Sequence, residues 1–312
     1  MKSLAPSCFL AAACLWPTTV LTAGDAPAPT AASEILTPKP VATPHVNGPK
    51  IFGVRPGSPF LYSIPATGDR PITFSADGLP TGLQLDAATG RIYGAVKMPG
   101  EHLVTLHATN ALGSAEKPFR IVVGEEIALT PPMGWNSYNC WGVTITQDRA
   151  LRAAHAIVAL GLDRHGWTYV NLDDGWPARK RGGPDNTLQA DPQRFTDMKA
   201  MVDEIHALGL KAGLYATPWT VTYGGRLGGS AENPAGDWDP DANLKAKRNA
   251  KVLPFAIGRY RFTYADARQF ADWGFDYVKY DWGPWRCPRP GKCTRRFASP
   301  AATSCSACRT TA

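Results

Sequence analysis

Between residues 51 and 124 apolar side chains recur at every second position. Ile72 and Phe74 do so, then Val104, Leu106 and Ala108, then Phe119, Ile121 and Val123. A period of two sends alternate side chains to opposite faces, so each set predicts a strand with one buried face. Pro56-Gly57, Asp77-Gly78, Thr89-Gly90 and Pro99-Gly100 stand between these runs as turn signals. Short alternating strands at this spacing predict a small all-β antiparallel sandwich over residues 51–124.

From Leu129 the period lengthens. Leu151, Ala154 and Val158 follow helical spacing and stop at Gly161. Met198, Met201, Val202, Ile205 and Leu208 stop at Gly209, and Ala267, Phe270 and Ala271 stop before Gly274. Glycine ends helices because it tolerates the left-handed conformation. Thr144 with Gln147 predicts a capping box ahead of the first helix. A strand follows each helix, at residues 169–172, 211–215 and 277–280, and residues 133–137 supply an earlier one. Four βα units of a parallel α/β fold are therefore expected. Residues 216–261 form one long connection rich in Gly, Asn and Asp, a length that marks function or a small subdomain.

Composition changes this picture in two places. Of the net charge of +7, six basic residues come from the stretch after Trp282, which has no acidic ones; the rest carries +1. The basic balance is a property of that stretch and argues against a nucleic-acid partner. The ten tryptophans suit either sugar stacking or core filling. Lys2, the small apolar run from Leu4 to Leu21 and the Leu21-Thr22-Ala23 site before Gly24 read as a secretory signal over residues 1–23. The run is too short and too broken by Pro17 for a stable membrane span, with an uncleaved anchor as the alternative. The expected location is exported, periplasmic or extracellular. Six prolines in residues 24–50 read as a linker or lead-in. Cys140 stands alone mid-chain, while Cys287, Cys293, Cys305 and Cys308 crowd the end.

In parallel α/β folds ligands meet the C-terminal ends of strands. Those ends carry Trp135-Asn136-Ser137-Tyr138, then Asp173-Asp174-Gly175-Trp176, then Tyr215 with Thr217-Pro218-Trp219, then Lys279, Asp281 and Trp282. Carboxylates accept hydrogen bonds from sugar hydroxyls and indole faces cover pyranose rings, so the set suggests sugar recognition. Lys279 precedes Asp281 by two and shares its strand face. An adjacent ammonium favours the ionised carboxylate that a nucleophile needs. The blander readings are a structural Lys279–Asp281 ion pair, a core role for Trp135, and a divalent cation on Asp173-Asp174, for which no further oxygen-ligand pattern is present. No phosphate loop, G-x-S-x-G elbow or H-E-x-x-H motif occurs.

Two resemblances extend this. The string from Gly78 to Val96 resembles the immunoglobulin-like module found beside bacterial secreted enzymes, which implies a spacer or adhesion role. Thr130 to Gly142, Asn171 to Pro177, Lys211 to Trp219 and Asp276 to Trp282 resemble, in order and spacing, the melibiase or α-galactosidase group of retaining glycoside hydrolases. That resemblance implies a (β/α)8 TIM barrel, no cofactor or metal, and a galactose-containing oligosaccharide or polysaccharide as partner. It implies Asp281 as nucleophile, Asp173 and Asp174 as the pair gripping the 4- and 6-hydroxyls, Trp135 and Tyr215 as pocket-lining rings, and Lys279 as a hydroxyl donor.

The chain departs from that family after Trp282, where no Val, Ile, Leu or Met occurs. Only about the first four βα units are expected, over residues 129–282, with an aberrant, disordered tail at residues 283–312 and no acid/base carboxylate from a later strand. A frameshifted or truncated coding sequence, a zinc site on the four late cysteines and a genuine variant terminus are the competing readings. The expectation is weak or absent hydrolysis, with a non-catalytic carbohydrate-binding or adhesion protein as the alternative.

Overall fold

The computed structural model describes residues 39–237 and 257–281. The signal, most of the Pro-rich stretch, Trp282 and the tail expected from sequence lie outside the described residues.

The first part is the sandwich. Its strands are β1 (His45–Val46), β2 (Ile51–Val54), β3 (Phe60–Ser63), β4 (Ala66–Thr67), β5 (Thr73–Asp77), β6 (Leu83–Asp86), β7 (Arg91–Gly94), β8 (Gly100–Asn110) and β9 (Gly113–Val123). One sheet runs β2-β9-β8-β5 and the other β3-β7-β6, with β1 paired to β4. The alternating residues Phe74, Val104, Leu106, Ala108, Phe119, Ile121 and Val123 are all buried, as a period of two requires. One boundary moves: β1 lies inside the stretch expected as linker, because its backbone finds a partner in Ala66–Thr67.

The second part is a parallel sheet built from β10 (Gly134–Asn136), β11 (Tyr169–Leu172), β14 (Lys211–Ala216) and β17 (Tyr277–Tyr280), side by side in chain order. Between β10 and β11 lie α1 (Tyr138–Trp141) and α2 (Gln147–Ala159). A hairpin of β12 (Pro177–Gly182) and β13 (Thr187–Ala190) and the helix α3 (Met198–Ala207) follow β11. The long connection after β14 pairs β15 (Ser230–Ala231) with β16 (Tyr260–Arg261) and enters α4 (Thr263–Asp272). Chain order without reversal distinguishes an arc of this kind from a doubly wound sheet, which has a switch point.

The helices end where expected, at Gly161, Gly209 and Gly274 with φ of 71°, 81° and 91°. The first helix start is corrected. Thr146, not Thr144, is the N-cap and accepts from the Arg149 N–H at 3.2 Å. Gln147 does not reach back to close a capping box. Its Oε1 accepts instead from the N–H groups of Thr196 and Asp197 at 3.0 and 3.1 Å, which ties the start of α2 to the start of α3.

Register puts Trp135, Val170, Ala212, Leu214 and Val278 on one sheet face. These pack with Ala154, Ile157, Met201, Ile205 and Phe270 from the helices into one core. A second anchor is polar. The Arg181 guanidinium grips Asp266 with two contacts of 2.7 and 3.0 Å, and Asp266 also accepts from the Leu188 N–H at 2.8 Å. This pair joins the β12–β13 hairpin to α4 with side chains only 1% and 5% exposed.

The sandwich contacts the starts of the parallel strands, at the end opposite the strand-end site. Ser63 Oγ donates to the Gly209 carbonyl and Arg91 Nη2 to the Ala207 carbonyl, each at 2.8 Å, and Lys211 Nζ donates to the Leu61 carbonyl at 2.5 Å. Lys211, at the start of β14, is buried against the Phe52 ring at 4.7 Å.

Candidate active site

The C-terminal ends of the four parallel strands bring Asp173, Lys279 and Asp281 together. Lys279 Nζ lies 2.8 Å from Asp173 Oδ2 and 3.9 Å from Asp281 Oδ2. It also stands 5.4 Å from the centre of the Tyr215 ring, the residue paired with it in register. Asp173 is buried and Lys279 is 41% exposed, so the lysine bridges the floor of the site to its open side.

Asp281 is set by backbone. Its N–H donates to the Ala216 carbonyl at 2.9 Å, and its own carbonyl accepts from Thr217 Oγ1 at 3.1 Å. The end of β14 thus fixes the residue that follows β17.

Asp173 is held on both oxygens. Asn136 Nδ2 donates to Oδ2 at 2.7 Å beside Lys279, and the Asp174 N–H donates to Oδ1 at 2.8 Å. Its own N–H donates to the buried Ser137 Oγ at 2.9 Å. Asp174 is held by the next loop: the Gly224 N–H donates to its Oδ2, with the Thr222 hydroxyl and the Gly175 N–H beside it. Its other oxygen, Oδ1, is buried with no well-formed hydrogen bond among the described residues. Burial pushes the Asp174 carboxyl above the ordinary range, against those three donors, which favour the charge.

Tyr215 is buried, and burial followed by the charges of Asp174 and Asp281 pushes its phenol up, so it stays neutral. Trp176 lies under the site. Its Nε1 donates to the Tyr215 carbonyl at 2.8 Å and its ring meets Phe270 and Trp273 edge-on.

Trp135 is a correction. It is partly buried against the helix-side core, on the face of β10 that pairs with Val170 and opposite the Asn136 side. The ring near the carboxylates is Tyr138, whose phenol is pushed up by burial and then by Asp174. Asn136 and Tyr138, named from sequence only as part of the first strand end, are thus site residues to which the sequence assigned no role. No local pattern marks Asn136: its place on the site face follows from the pairing of Trp135 with Val170, which turns the neighbouring residue to the other side.

Gly213 keeps the space behind the site open. A Cβ there would overlap Asn171 Oδ1 and come within 3.0 Å of the Tyr277 ring. Among the described residues no group of three or more His, Cys, Asp or Glu is arranged to hold a metal ion.

A strand-end rim of carboxylates, one lysine and aromatic rings thus stands on a parallel α/β arc that follows the β-sandwich. Residues 43–124 match the family model described as "Putative Ig domain", and residues 130–257 match that of "Alpha galactosidase A". The second region is thus similar to the alpha-galactosidase family over those residues. Alpha-galactosidase A of Cellvibrio japonicus is 33% identical over 159 residues, covering 51% of this chain and 31% of the relative. The alpha-galactosidase of Coffea arabica is 30% identical over 169 residues, covering 54% and 37%. A Bacteroides fragilis crystal structure described as a "putative alpha-galactosidase" superposes with a TM-score of 0.66 at 35% identity, covering 82% of this chain and 48% of that one. The chain spans about a third of the length of the curated relatives it matches. No helix among the described residues is long and apolar enough to cross a membrane.

Proposed function

We propose that the strand-end site binds the terminal sugar of an α-D-galactoside and carries the nucleophile of a retaining glycoside hydrolase. The observation that carries this reading is Lys279 Nζ set 2.8 Å from Asp173 and 3.9 Å from Asp281, with Asp281 pinned by backbone at the open end of the sheet. Asp173, locked by Asn136 and Lys279, and Asp174, with one buried oxygen that has no hydrogen-bond donor among the described residues, are the acceptors for two sugar hydroxyls. Lys279 donates to a third hydroxyl, and Tyr215 and Tyr138 wall the ring.

In the proposed reaction the Asp281 carboxylate attacks the anomeric carbon and the bond to the leaving oxygen breaks. A carboxylic acid protonates that oxygen, and water then cleaves the glycosyl ester with net retention. Such a pair sits about 5–5.5 Å apart. Of the carboxylates at the described strand ends, Asp173 is committed to Asn136 and Lys279, and Asp174 to the Gly224 loop. Neither is placed to act as the acid. The proposal therefore includes a barrel represented by about its first four βα units and weak turnover where the leaving group needs a proton. Residues 1–23, read as a leader, support export to the periplasm or beyond.

The test compares an aryl α-galactoside, whose phenolate leaves unaided, with an alkyl α-galactoside. Slow hydrolysis of the first with retained configuration, lost in Asp281→Asn, supports the reading. Inversion of configuration would refute it.

A further inference from the structure

The sandwich completes helix ends that belong to the α/β part. The last carbonyls of a helix lack partners inside it and must find donors elsewhere. At the end of α3 the Leu208, Gly209 and Leu210 N–H groups turn back to the carbonyls of Glu204, His206 and Ile205. The next carbonyl, that of Ala207, is answered from the sandwich: Arg91 Nη2 donates to it at 2.8 Å. Ser63 Oγ donates to the Gly209 carbonyl, also at 2.8 Å. A guanidinium at this end also faces the negative pole of the helix. The turn Asp163–His165, which follows α2, is treated alike: Asn47 Nδ2 donates to the Arg164 carbonyl at 2.9 Å.

The fit is close at these points. A Cβ on Gly209 would stand 2.6 Å from Ser63 Oγ and 3.2 Å from Arg91 Nη2, and one on Gly166 would lie 3.6 Å from the Gly48 Cα. Gly209 therefore serves twice, as the left-handed stop of α3 and as the seat of two sandwich side chains.

Lys211 ties the two parts by charge. A buried ammonium is costly unless it is paired and hydrogen-bonded. Its cover, the Phe52 ring and the Leu61 carbonyl, comes from the sandwich, and its counter-charge, Asp276, comes from the α/β part. Asp276 Oδ2 in turn accepts from the Ala212 N–H at 2.9 Å and lies 2.8 Å from His206 Nε2 on α3. Clefts of about 200 and 270 Å³ remain around Lys211, so the join rests on fixed polar points more than on continuous apolar packing.

We propose that the sandwich is the structural base of the α/β part: it caps the helix ends, covers the starts of the parallel strands and unfolds with them as one cooperative unit. Domains in one chain move and unfold separately unless their interface binds them together, which is what a detachable spacer or adhesion module would do. The inference does not depend on the galactoside reading.

Urea unfolding of the full chain, followed by two probes, tests it. Residues 43–124 contain no tryptophan, so tryptophan fluorescence reports the α/β part. Hydrogen exchange read by mass spectrometry on peptides from β8 and β9 reports the sandwich. The two midpoints should coincide. Leu106→Ala cuts a fully buried side chain in the sandwich core and should lower both midpoints together. Ile121→Val, a smaller cut in the same core, serves if the first variant does not fold. Ser63→Ala with Arg91→Ala should raise the unfolded-to-folded ratio seen by tryptophan about three- to tenfold at fixed urea. Separate midpoints in the unaltered chain would overturn the proposal. So would a tryptophan midpoint that stays in place while a core substitution lowers the sandwich midpoint, or one indifferent to the Ser63 and Arg91 substitutions.

Discussion

Removing the Asp266 carboxylate is the sharpest test of what holds the site's scaffold together. Asp266→Ala deletes two contacts of 2.7 and 3.0 Å to Arg181 and the acceptor of the Leu188 N–H. It leaves a guanidinium 1% exposed with the Gly228 carbonyl at 2.7 Å, the Asn186 carbonyl at 3.1 Å and the face of Phe262 at 4.0 Å. Breaking a buried pair on one side costs about 3–5 kcal/mol, because the surviving charge is unpaired. Against a usual total of about 5–15 kcal/mol this is a large share. Replacing both partners, as Arg181→Met with Asp266→Leu, removes the stranded charge. The double variant should be more stable than the single one, although it leaves bare the Gly228 and Asn186 carbonyls and, like the single one, the Leu188 N–H, about 1–3 kcal/mol each. Urea unfolding followed by tryptophan fluorescence reads the midpoints. A loss below about 1 kcal/mol in Asp266→Ala, or a double variant less stable than the single, would refute this reasoning.

Asn136→Ala should weaken binding of galactose about three- to tenfold by freeing Asp173, while leaving the melting temperature within a few degrees; calorimetry and a thermal melt read both. Gly213→Ala should destabilise by about 1–3 kcal/mol, since Asn171 and Tyr277 must both move, and a chemical unfolding midpoint measures it. Asp174→Asn should stabilise the ligand-free chain at neutral pH by about 1 kcal/mol while abolishing galactoside binding. The sign follows from the raised carboxyl of Asp174: its contribution is favourable below the unfolded carboxyl range and is lost as pH rises through the folded value. The advantage of Asp174→Asn should therefore shrink as pH falls toward about 4, and a variant equally stabilised at pH 4 and pH 7 would contradict it.

How much of this was legible in the chain depends on which physical signal each feature leaves. The strands of the sandwich show in the alternation of Val104, Leu106 and Ala108 because one face is dry and the other wet. The parallel strands and the glycine stops show because each helix needs an apolar stripe and an end. Asp173, Lys279 and Asp281 show because strand ends in this architecture carry polar residues, and the structure brings those three together. Which side of β10 Trp135 takes does not show, because a three-residue strand has too few positions for the alternation to be read; only pairing with Val170 decides it. The cap at Thr146 was missed because Thr144 and Thr146 are both acceptable caps, and the choice depends on Gln147 being drawn to the start of α3. The contact of Lys211 with Leu61 leaves no local pattern at all, since its partners are 150 residues apart. The resemblance to a spacer module gave no hint of it.

The central claim is that Asp281 is a glycosyl-accepting nucleophile. Incubation with an activated 2-deoxy-2-fluoro-α-galactosyl donor, whose leaving group needs no protonation, followed by intact-mass analysis and peptide mapping, tests it directly. One added fluorogalactosyl mass is expected, on the peptide containing Asp281, and none in Asp281→Asn. An unlabelled protein, or a label carried on any other residue, would contradict it.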